Sequence, residues 1–222
     1  MKISIPIFFL AISSLLLFAG FLSADAKRHS EKNHAERFIQ ICCSWGEQLV
    51  DGTLTYKING GESSLREAVR NAVIQWDSKI AGLNLQEVKG SGSADINIAF
   101  KKDGKSLPGQ RTKHGMMTAG LTLFDLRGRN LIDEVHITLA KGVRGNDFSS
   151  SQLELVAEHE LGHALGLGHS NLKSSIMFPT ISNQQSMILS SCEIKGVLEA
   201  NAWKFIDGDH NPHSSKGNTL SC

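Results

Sequence analysis

The stretch "HELGHALGLGHS", residues 159–170, brings three histidines, one carboxylate and three glycines together within twelve residues. On a helix, His159 and His163 are four positions apart, so their rings lie on one face and can share a cation. If the helix continued, His169 would lie about 9 Å further along its axis and roughly 240° around it. We therefore predict that the helix ends between the last two histidines, with Gly166 in the left-handed conformation that reverses the chain.

Three neutral imidazoles with a free coordination position are typical of a catalytic zinc site. The sequence therefore predicts one Zn²⁺ held by His159, His163 and His169, where it activates a water molecule. Glu160 lies beside a ligand without being one, so we predict that it is the general base that takes the water's proton and returns it to the leaving amine. A zinc-dependent binding module without catalysis is the alternative; Glu160 argues against it, because metal retention needs no general base.

The same residues carry a family resemblance. The pattern His-Glu-x-x-His-x-x-Gly-x-x-His, followed by Ser170, resembles the metzincin zinc signature in its matrixin form. "SSIMFP", residues 174–179, resembles the methionine turn of that family, which implies that Met177 supports the zinc ligands from beneath. The resemblance implies a zinc metalloendopeptidase whose peptide substrate lies extended along an edge strand.

Periodicity outside the motif predicts an α+β domain. Strands are expected at residues 53–58, 83–88, 94–100, 121–126 and 133–140. Apolar residues at helical spacing predict helices over 64–76 and 191–203, and a third that carries the motif. Capping boxes are predicted to begin the first helix and the motif helix, at Ser64 with Glu67 and at Ser151 with Glu154. The resemblance implies a twisted, mostly parallel sheet of five strands and three helices.

The N-terminal segment predicts export. Lys2 precedes an apolar run from about Ile3 to Leu22 and a small-residue triplet that ends at Ala26, which is the layout of a cleaved signal peptide. An uncleaved membrane anchor is the alternative, because the run approaches the length that spans a bilayer. We predict a secreted, extracellular protein with a signal peptide (1–26), a leader or linker (27–44), a matrixin-like protease domain (45–205) and a polar C-terminal tail (206–222).

The charge balance excludes one class of partner. The 222-residue chain has a formal net charge of +1 and no run rich in lysine and arginine, so it lacks the electrostatic footprint of a nucleic-acid-binding protein. We predict a protein or peptide substrate, no nucleic acid, no membrane contact once the signal segment is cleaved, and a monomer.

Four cysteines follow the signal segment, and an exported protein is expected to join them in one or two disulfides. They are Cys42, Cys43, Cys192 and Cys222, and all three pairings are open. A thiolate from Cys42 or Cys43 that blocks the zinc is an alternative role for these residues.

Departures from the family pattern limit the number of metals. The family's second, structural zinc uses an H-x-D followed by two further histidines, and "KKDGKS", residues 101–106, contains no histidine. We therefore predict a single zinc and treat His114 and His136 as ordinary surface or strand residues. For Asp207 and Asp209, the alternatives are a calcium site and a solvated tail.

Overall fold

The structure is a computed structural model of the chain. It describes residues 36–103, 118–128, 130–143, 145–180, 188–214 and 218–222, all within one compact unit, Ala35–Cys222. The predicted signal peptide and His114 lie outside the described residues. In the part of the chain that the structure describes, no helix is long and apolar enough to cross a bilayer.

The described residues contain eleven strands and four α-helices. The strands are β1 (Phe38–Ile41), β2 (Ser44–Trp45), β3 (Thr53–Asn59), β4 (Asn84–Glu87), β5 (Ile96–Lys101), β6 (Gly120–Arg127), β7 (Leu131–Ala140), β8 (Gly142–Val143), β9 (Asn146–Asp147), β10 (Leu167–Ser170) and β11 (Thr219–Ser221). The helices are α1 (Ser63–Lys79), α2 (Ser150–Ala164), α3 (Ser191–Ala200) and α4 (Ala202–Phe205).

The main sheet has the strand order β2-β7-β5-β3-β4, with every pair parallel, and β6 joins it antiparallel to β7. Leu139 of β7 pairs with Phe100 of β5 and also with Gly120 of β6, so β5 and β6 lie on opposite sides of β7. Among the described strands, β6 is therefore an edge strand. Apart from the two-residue β2, these are the five predicted strands, and the α+β fold with a mostly parallel sheet is confirmed.

Helices α1 and α2 pack against each other beside this sheet. The predicted apolar stripe of α1 is buried, from Leu65 to Trp76. The Trp76 indole N–H donates to the backbone carbonyl of Glu158 on α2 at 3.0 Å. Trp45 and Trp203 are also fully buried and donate to backbone carbonyls. Each indole thus combines a large buried apolar surface with a satisfied polar group, which stabilises the contacts among these elements.

Both predicted capping boxes are wrong. Helix α1 begins after Glu62 without a side-chain cap. Helix α2 is capped two residues earlier than predicted, by Ser149 with Gln152. Residues 149–151 are three consecutive serines, so sequence spacing alone leaves several positions for this cap. The structure uses the first of them.

The predicted helix over 191–203 is two helices, α3 and α4, separated at Asn201. The Asn201 side chain donates to the carbonyls of Leu165 and Val197 and accepts from the Trp45 N–H. Asn201 is fully buried, so these bonds satisfy a side-chain amide that has no access to water.

A second sheet, in the order β10-β1-β11, uses parts of the chain that were predicted to lie outside the domain. Strand β1 comes from the segment predicted as a leader or linker, and β11 from the predicted polar tail. Ile39 of β1 is fully buried in the core, although its strand is only four residues long. Both strands are too short for their alternation to stand out against polar neighbours.

All four cysteines are paired. Cys42 is joined to its neighbour Cys43, and Cys192 of α3 is joined to Cys222. This is one of the three pairings that the sequence left open. Because Cys42 and Cys43 are both oxidised, the alternative that one of them blocks a zinc ion as a thiolate is wrong for this structure.

Candidate metal centre and active site

Helix α2 and strand β10 bring the three predicted ligands together. His159 and His163 lie one turn apart on α2, and the helix stops at Leu165. Gly166 then takes a φ of 101°, so the predicted left-handed reversal is confirmed. A Cβ at this position would collide with the Cys43 carbonyl oxygen, which adds a steric reason for glycine. The returning chain forms β10 and carries His169 back towards the helix.

The ring nitrogens of His159, His163 and His169 lie within 4.8 Å of one another. His159 Nδ1 faces the Ile176 carbonyl oxygen at 2.7 Å, and His163 Nδ1 faces that of Leu167 at 2.8 Å. A carbonyl can only accept, so in the neutral rings Nδ1 carries the hydrogen and Nε2 carries a lone pair. The two Nε2 atoms are 3.1 Å apart, and a cation placed between them relieves the repulsion of their lone pairs. The residues therefore fit a zinc ion.

Burial keeps these rings neutral. It lowers the pKa of His159 to about 4, against the opposing effect of the bond to Ile176. Burial and the neighbouring His159 lower the pKa of His163 to about 3. The pKa of His169 is also lowered by burial, although this ring is the least buried of the three. Neutral imidazoles are the form that binds zinc, so the site is ready to bind metal at neutral pH.

Glu160 lies against the edge strand β6. Its carboxylate accepts a hydrogen bond from the Thr122 hydroxyl at 2.6 Å. A Cβ on Gly120 would lie 2.6 Å from Glu160 Cγ and would also collide with the carboxylate, so the glycine makes room for this side chain. Burial raises the pKa of Glu160 to about 7, and the bond from Thr122 opposes that rise. A carboxyl group with a pKa near neutrality is suited to taking and returning a proton.

Met177, which the resemblance implied to support the ligands, lies in the turn that follows β10 and packs against α2. It is fully buried, and a Cβ on Gly162 of α2 would collide with its sulfur. The Met177 carbonyl accepts from the Ser170 N–H at 2.9 Å, and its neighbour Ile176 accepts from His159. The turn thus contacts both elements that carry the candidate ligands.

Glu193 anchors the methionine turn from α3. The Ser175 hydroxyl donates to its carboxylate, and the Ser175 oxygen in turn accepts from the Met177 N–H at 3.1 Å. Glu193 is almost fully buried and also completes the capping box of α3 with Ser190. The role of Glu193 was not predicted from the sequence, although Ser190 and Glu193 have the spacing of a capping box.

Glu158, next to His159, is a buried acid without a function in this site. It is fully buried, and both carboxylate oxygens lack a hydrogen-bonding partner among the described residues. Burial raises the pKa of Glu158 to about 8, with a smaller contribution from Glu154. This carboxyl is therefore protonated at neutral pH.

His136, which was predicted to be an ordinary surface or strand histidine, and the alternative calcium ligands Asp207 and Asp209 lie outside the histidine cluster. His136 is on the surface of β7, near Asp125 and Glu134, and their ligand atoms lie within 4.8 Å of one another. Asp209 accepts hydrogen bonds from the N–H groups of His210 and Asn211, which closes a local turn. Neither Asp207 nor Asp209 belongs to a metal-ligating cluster among the described residues.

A helix with two histidines and a glutamate, a reversed strand with a third histidine and a methionine turn define a metallopeptidase of the zinc-dependent class. The chain belongs to the matrixin family: the family model described as Matrixin, of the peptidase M10 group, matches residues 44–200. The family identification from the sequence is therefore confirmed.

Curated relatives agree with this assignment. Matrix metalloproteinase-26 of Homo sapiens is 32% identical over 157 residues, which cover 62% of this chain and 51% of that protein. Matrilysin of Rattus norvegicus is 30% identical over 161 residues, 65% of this chain and 55% of that protein. Metalloendoproteinase 1-MMP of Arabidopsis thaliana is 29% identical over 158 residues, 66% of this chain and 42% of that protein. The chain thus spans about half the length of the curated relatives it matches.

Proposed function

We propose that the chain is a zinc-dependent endopeptidase that hydrolyses peptide bonds in extended polypeptides. One observation carries the proposal: three imidazole nitrogens, one from each histidine, lie within 4.8 Å of one another, beside a buried carboxylate that is not part of the cluster. His159, His163 and His169 are the proposed ligands, Glu160 the proposed proton carrier and Met177 the proposed support. Matrixin membership favours the same activity.

Zinc held by three neutral histidines supplies Lewis-acid activation of a water molecule and of the scissile carbonyl. Glu160 takes the proton of the attacking water on its carboxylate and then passes it to the leaving amine. Thr122 orients the carboxylate by donating to one oxygen. The carbonyls of Ile176 and Leu167 hold the two helix histidines in the tautomer that leaves Nε2 free.

Strand β6 is the proposed binding surface for the substrate. Its side away from β7 has no strand partner among the described residues, so its backbone groups on that side are available to an extended peptide. Gly120 and Thr122, which contact Glu160, lie at the start of the same strand. A peptide paired with this edge is therefore held close to the proton carrier. The segment around Phe178 to Leu189 is the proposed wall of the specificity pocket, and residues 181–187 within it lie outside the described residues.

Secretion is the proposed location, because two disulfides are typical of a protein that folds in an oxidising compartment. The predicted cleavage after Ala26, the four segment boundaries and the monomeric state remain predictions. N-terminal sequencing of the exported protein tests the cleavage and the membrane-anchored alternative together. Calcium at Asp207 and Asp209 also remains a prediction, tested by hydrolysis in calcium-depleted buffer.

The direct test of the proposal is hydrolysis of an unfolded protein with and without a zinc chelator. We expect cleavage that stops on chelation and returns when zinc is added. A chain that binds zinc and unfolded protein but cleaves nothing would instead be the zinc-dependent binding module.

Metal analysis should find close to one tightly held zinc per molecule. Among the described residues, the histidine cluster has one buried and two half-buried members, whereas two of the three residues in the Asp125, Glu134 and His136 cluster are exposed. His136→Ala is the matched variant and should leave the zinc content unchanged, while His163→Ala should abolish it. A second zinc that disappears in His136→Ala would contradict the prediction.

Thr122→Val should move the acid side of the pH profile of kcat/KM to higher pH. The Thr122 hydroxyl bonds to the charged form of Glu160 and so lowers its pKa; without it, Glu160 binds its proton at higher pH and stops acting as a base earlier on acidification. Profiles recorded at two free-zinc concentrations separate this effect from metal loss. Thr122→Ser, which keeps the hydroxyl, should leave the profile in place, and an unmoved profile in Thr122→Val would refute the role of this bond.

A further inference from the structure

The third candidate ligand is held differently from the other two. The rings of His159 and His163 are each oriented by a carbonyl that faces Nδ1. Among the described residues, the His169 ring has no hydrogen-bonding partner, and it is the backbone N–H of His169 that is bonded, to the side-chain oxygen of Gln40 at 3.3 Å. The position of this ring therefore depends on where strand β10 lies.

Strand β1 fixes β10 from one side. Gln40 packs closely over the strand, since a Cβ on Gly168 would lie 2.7 Å from Gln40 Cβ. The Ser170 hydroxyl donates to the Phe38 carbonyl at 2.9 Å. The Phe38 N–H and the Asn171 side-chain oxygen are 3.0 Å apart. Strand β1 thus contacts the residues that precede and follow His169 in the chain.

Strand β11 fixes β1 in turn. Its three residues pair antiparallel with Phe38, Ile39 and Gln40, and the Cys222 N–H donates to the Arg37 carbonyl at 2.7 Å. A three-residue strand near a chain end is expected to fray unless it is tied down. The disulfide from Cys222 to Cys192 ties this one to helix α3.

We infer that β1 and β11, locked by the Cys192–Cys222 disulfide, form a brace that positions His169 for the metal, with Gln40 as a positioning residue. Both strands of the brace lie outside residues 44–200, the segment that the family model matches. The inference rests on the proposed function, because it takes His169 to be a zinc ligand. It adds that this chain depends on its own flanking strands to retain the metal.

The first test removes the lock. In the zinc-loaded protein, Cys192→Ser/Cys222→Ser should release zinc to the chromogenic chelator 4-(2-pyridylazo)resorcinol about tenfold faster than the parent, since groups that orient a ligand commonly contribute about 10- to 100-fold to metal affinity. Cys42→Ser/Cys43→Ser is the matched control and should release zinc within about twofold of the parental rate. Equal acceleration in the two double variants would overturn the assignment to β11.

The second test removes one hydrogen bond and leaves the disulfide intact. Gln40→Leu should also release zinc about tenfold faster, whereas Gln40→Glu keeps an acceptor oxygen at the same reach and should restore slow release. Thr219→Ala, at the paired position on β11, should behave as the parent. Thermal unfolding of metal-free Gln40→Leu should match that of the metal-free parent, because a merely structural loss would lower the unfolding temperature as well as speed the release of zinc.

A His169→Ala variant separates this inference from the proposed function. If His169→Ala holds zinc as tightly as the parent, the ligand set and the inference are both wrong. If His169→Ala loses zinc while Gln40→Leu and Cys192→Ser/Cys222→Ser keep it at the parental rate, the ligand set stands and the brace is refuted.

Discussion

Replacing Glu160 with Gln should lower kcat/KM for peptide hydrolysis by about 10²- to 10⁴-fold while zinc stays bound, because general acid–base groups contribute factors of this size. Glutamine keeps the size of the side chain and can still interact with Thr122, but it cannot take a proton. The carboxylate is not in the histidine cluster, so the metal content should remain that of the parent. Hydrolysis of a fluorogenic peptide and zinc analysis on the same preparation measure both quantities.

Glu154→Gln is the matched control for this variant. Glu154 lies on the same helix and bonds to Asn71 of α1 at 3.2 Å, away from β6. The Glu154→Gln variant should retain the parental kcat/KM. Parental turnover in Glu160→Gln would show that the proton is carried by another group, and loss of zinc in that variant would show that Glu160 helps to hold the metal.

Gly120→Ala should lower kcat/KM by about 10²-fold with little change in thermal unfolding. The added methyl group would lie 2.6 Å from Glu160 Cγ, so the flexible glutamate must move, and a displacement of about 1 Å of a catalytic group can cost about 10²-fold. Gly120 has no positive φ, so alanine fits the backbone. Zinc content should be unchanged, because the clash involves Glu160, the proposed proton carrier, and not a histidine.

Gly92→Ala provides the control for a glycine substitution. Its new Cβ would meet the Val88 side chain at 3.3 Å, at the surface and far in sequence from the site. Activity and stability should stay close to those of the parent. A Gly120→Ala protein with full activity would mean that the observed position of Glu160 is not the one used in catalysis.

The end of α2 and the five main strands were predicted from the sequence, because interactions between nearby residues determine them. Two histidines four residues apart and a glycine three residues further on dictated the end of α2, and the structure confirms the reversal at Gly166. The five main strands were visible because each has four or more residues with alternating or continuous apolar character. These features depend on residues close together in the chain, so one sequence was sufficient.

Contacts between distant residues were not predictable in the same way. Thr122 and Glu160 are 38 residues apart, and nothing near Thr122 marks it as a partner of the proton carrier. Strand β1 is short, and what stabilises it is pairing with β10 and β11 from the other end of the chain. The predicted position of the α2 cap was wrong for a different reason. The three adjacent serines are chemically equivalent until the packing of the helix selects one.

The buried Glu158 takes up a proton when the metal-free chain folds near neutral pH. Burial raises the pKa of this carboxyl to about 8 in the folded protein, from an ordinary value of 4.5, so between these two values the native state holds a proton that the unfolded chain has lost. The free energy of unfolding contributed by this group therefore declines as the pH rises through that window and is undiminished below it. For Glu158 alone, mild acidity favours the folded scaffold, but His159 and His163, whose pKa values burial lowers to about 4 and about 3, oppose it once the pH falls below the ordinary histidine pKa of about 6.5. The proposed role of Glu160 also requires a deprotonated carboxylate. Glu158 therefore favours a lower pH for folding, whereas the proposed role of Glu160 favours a higher pH for activity.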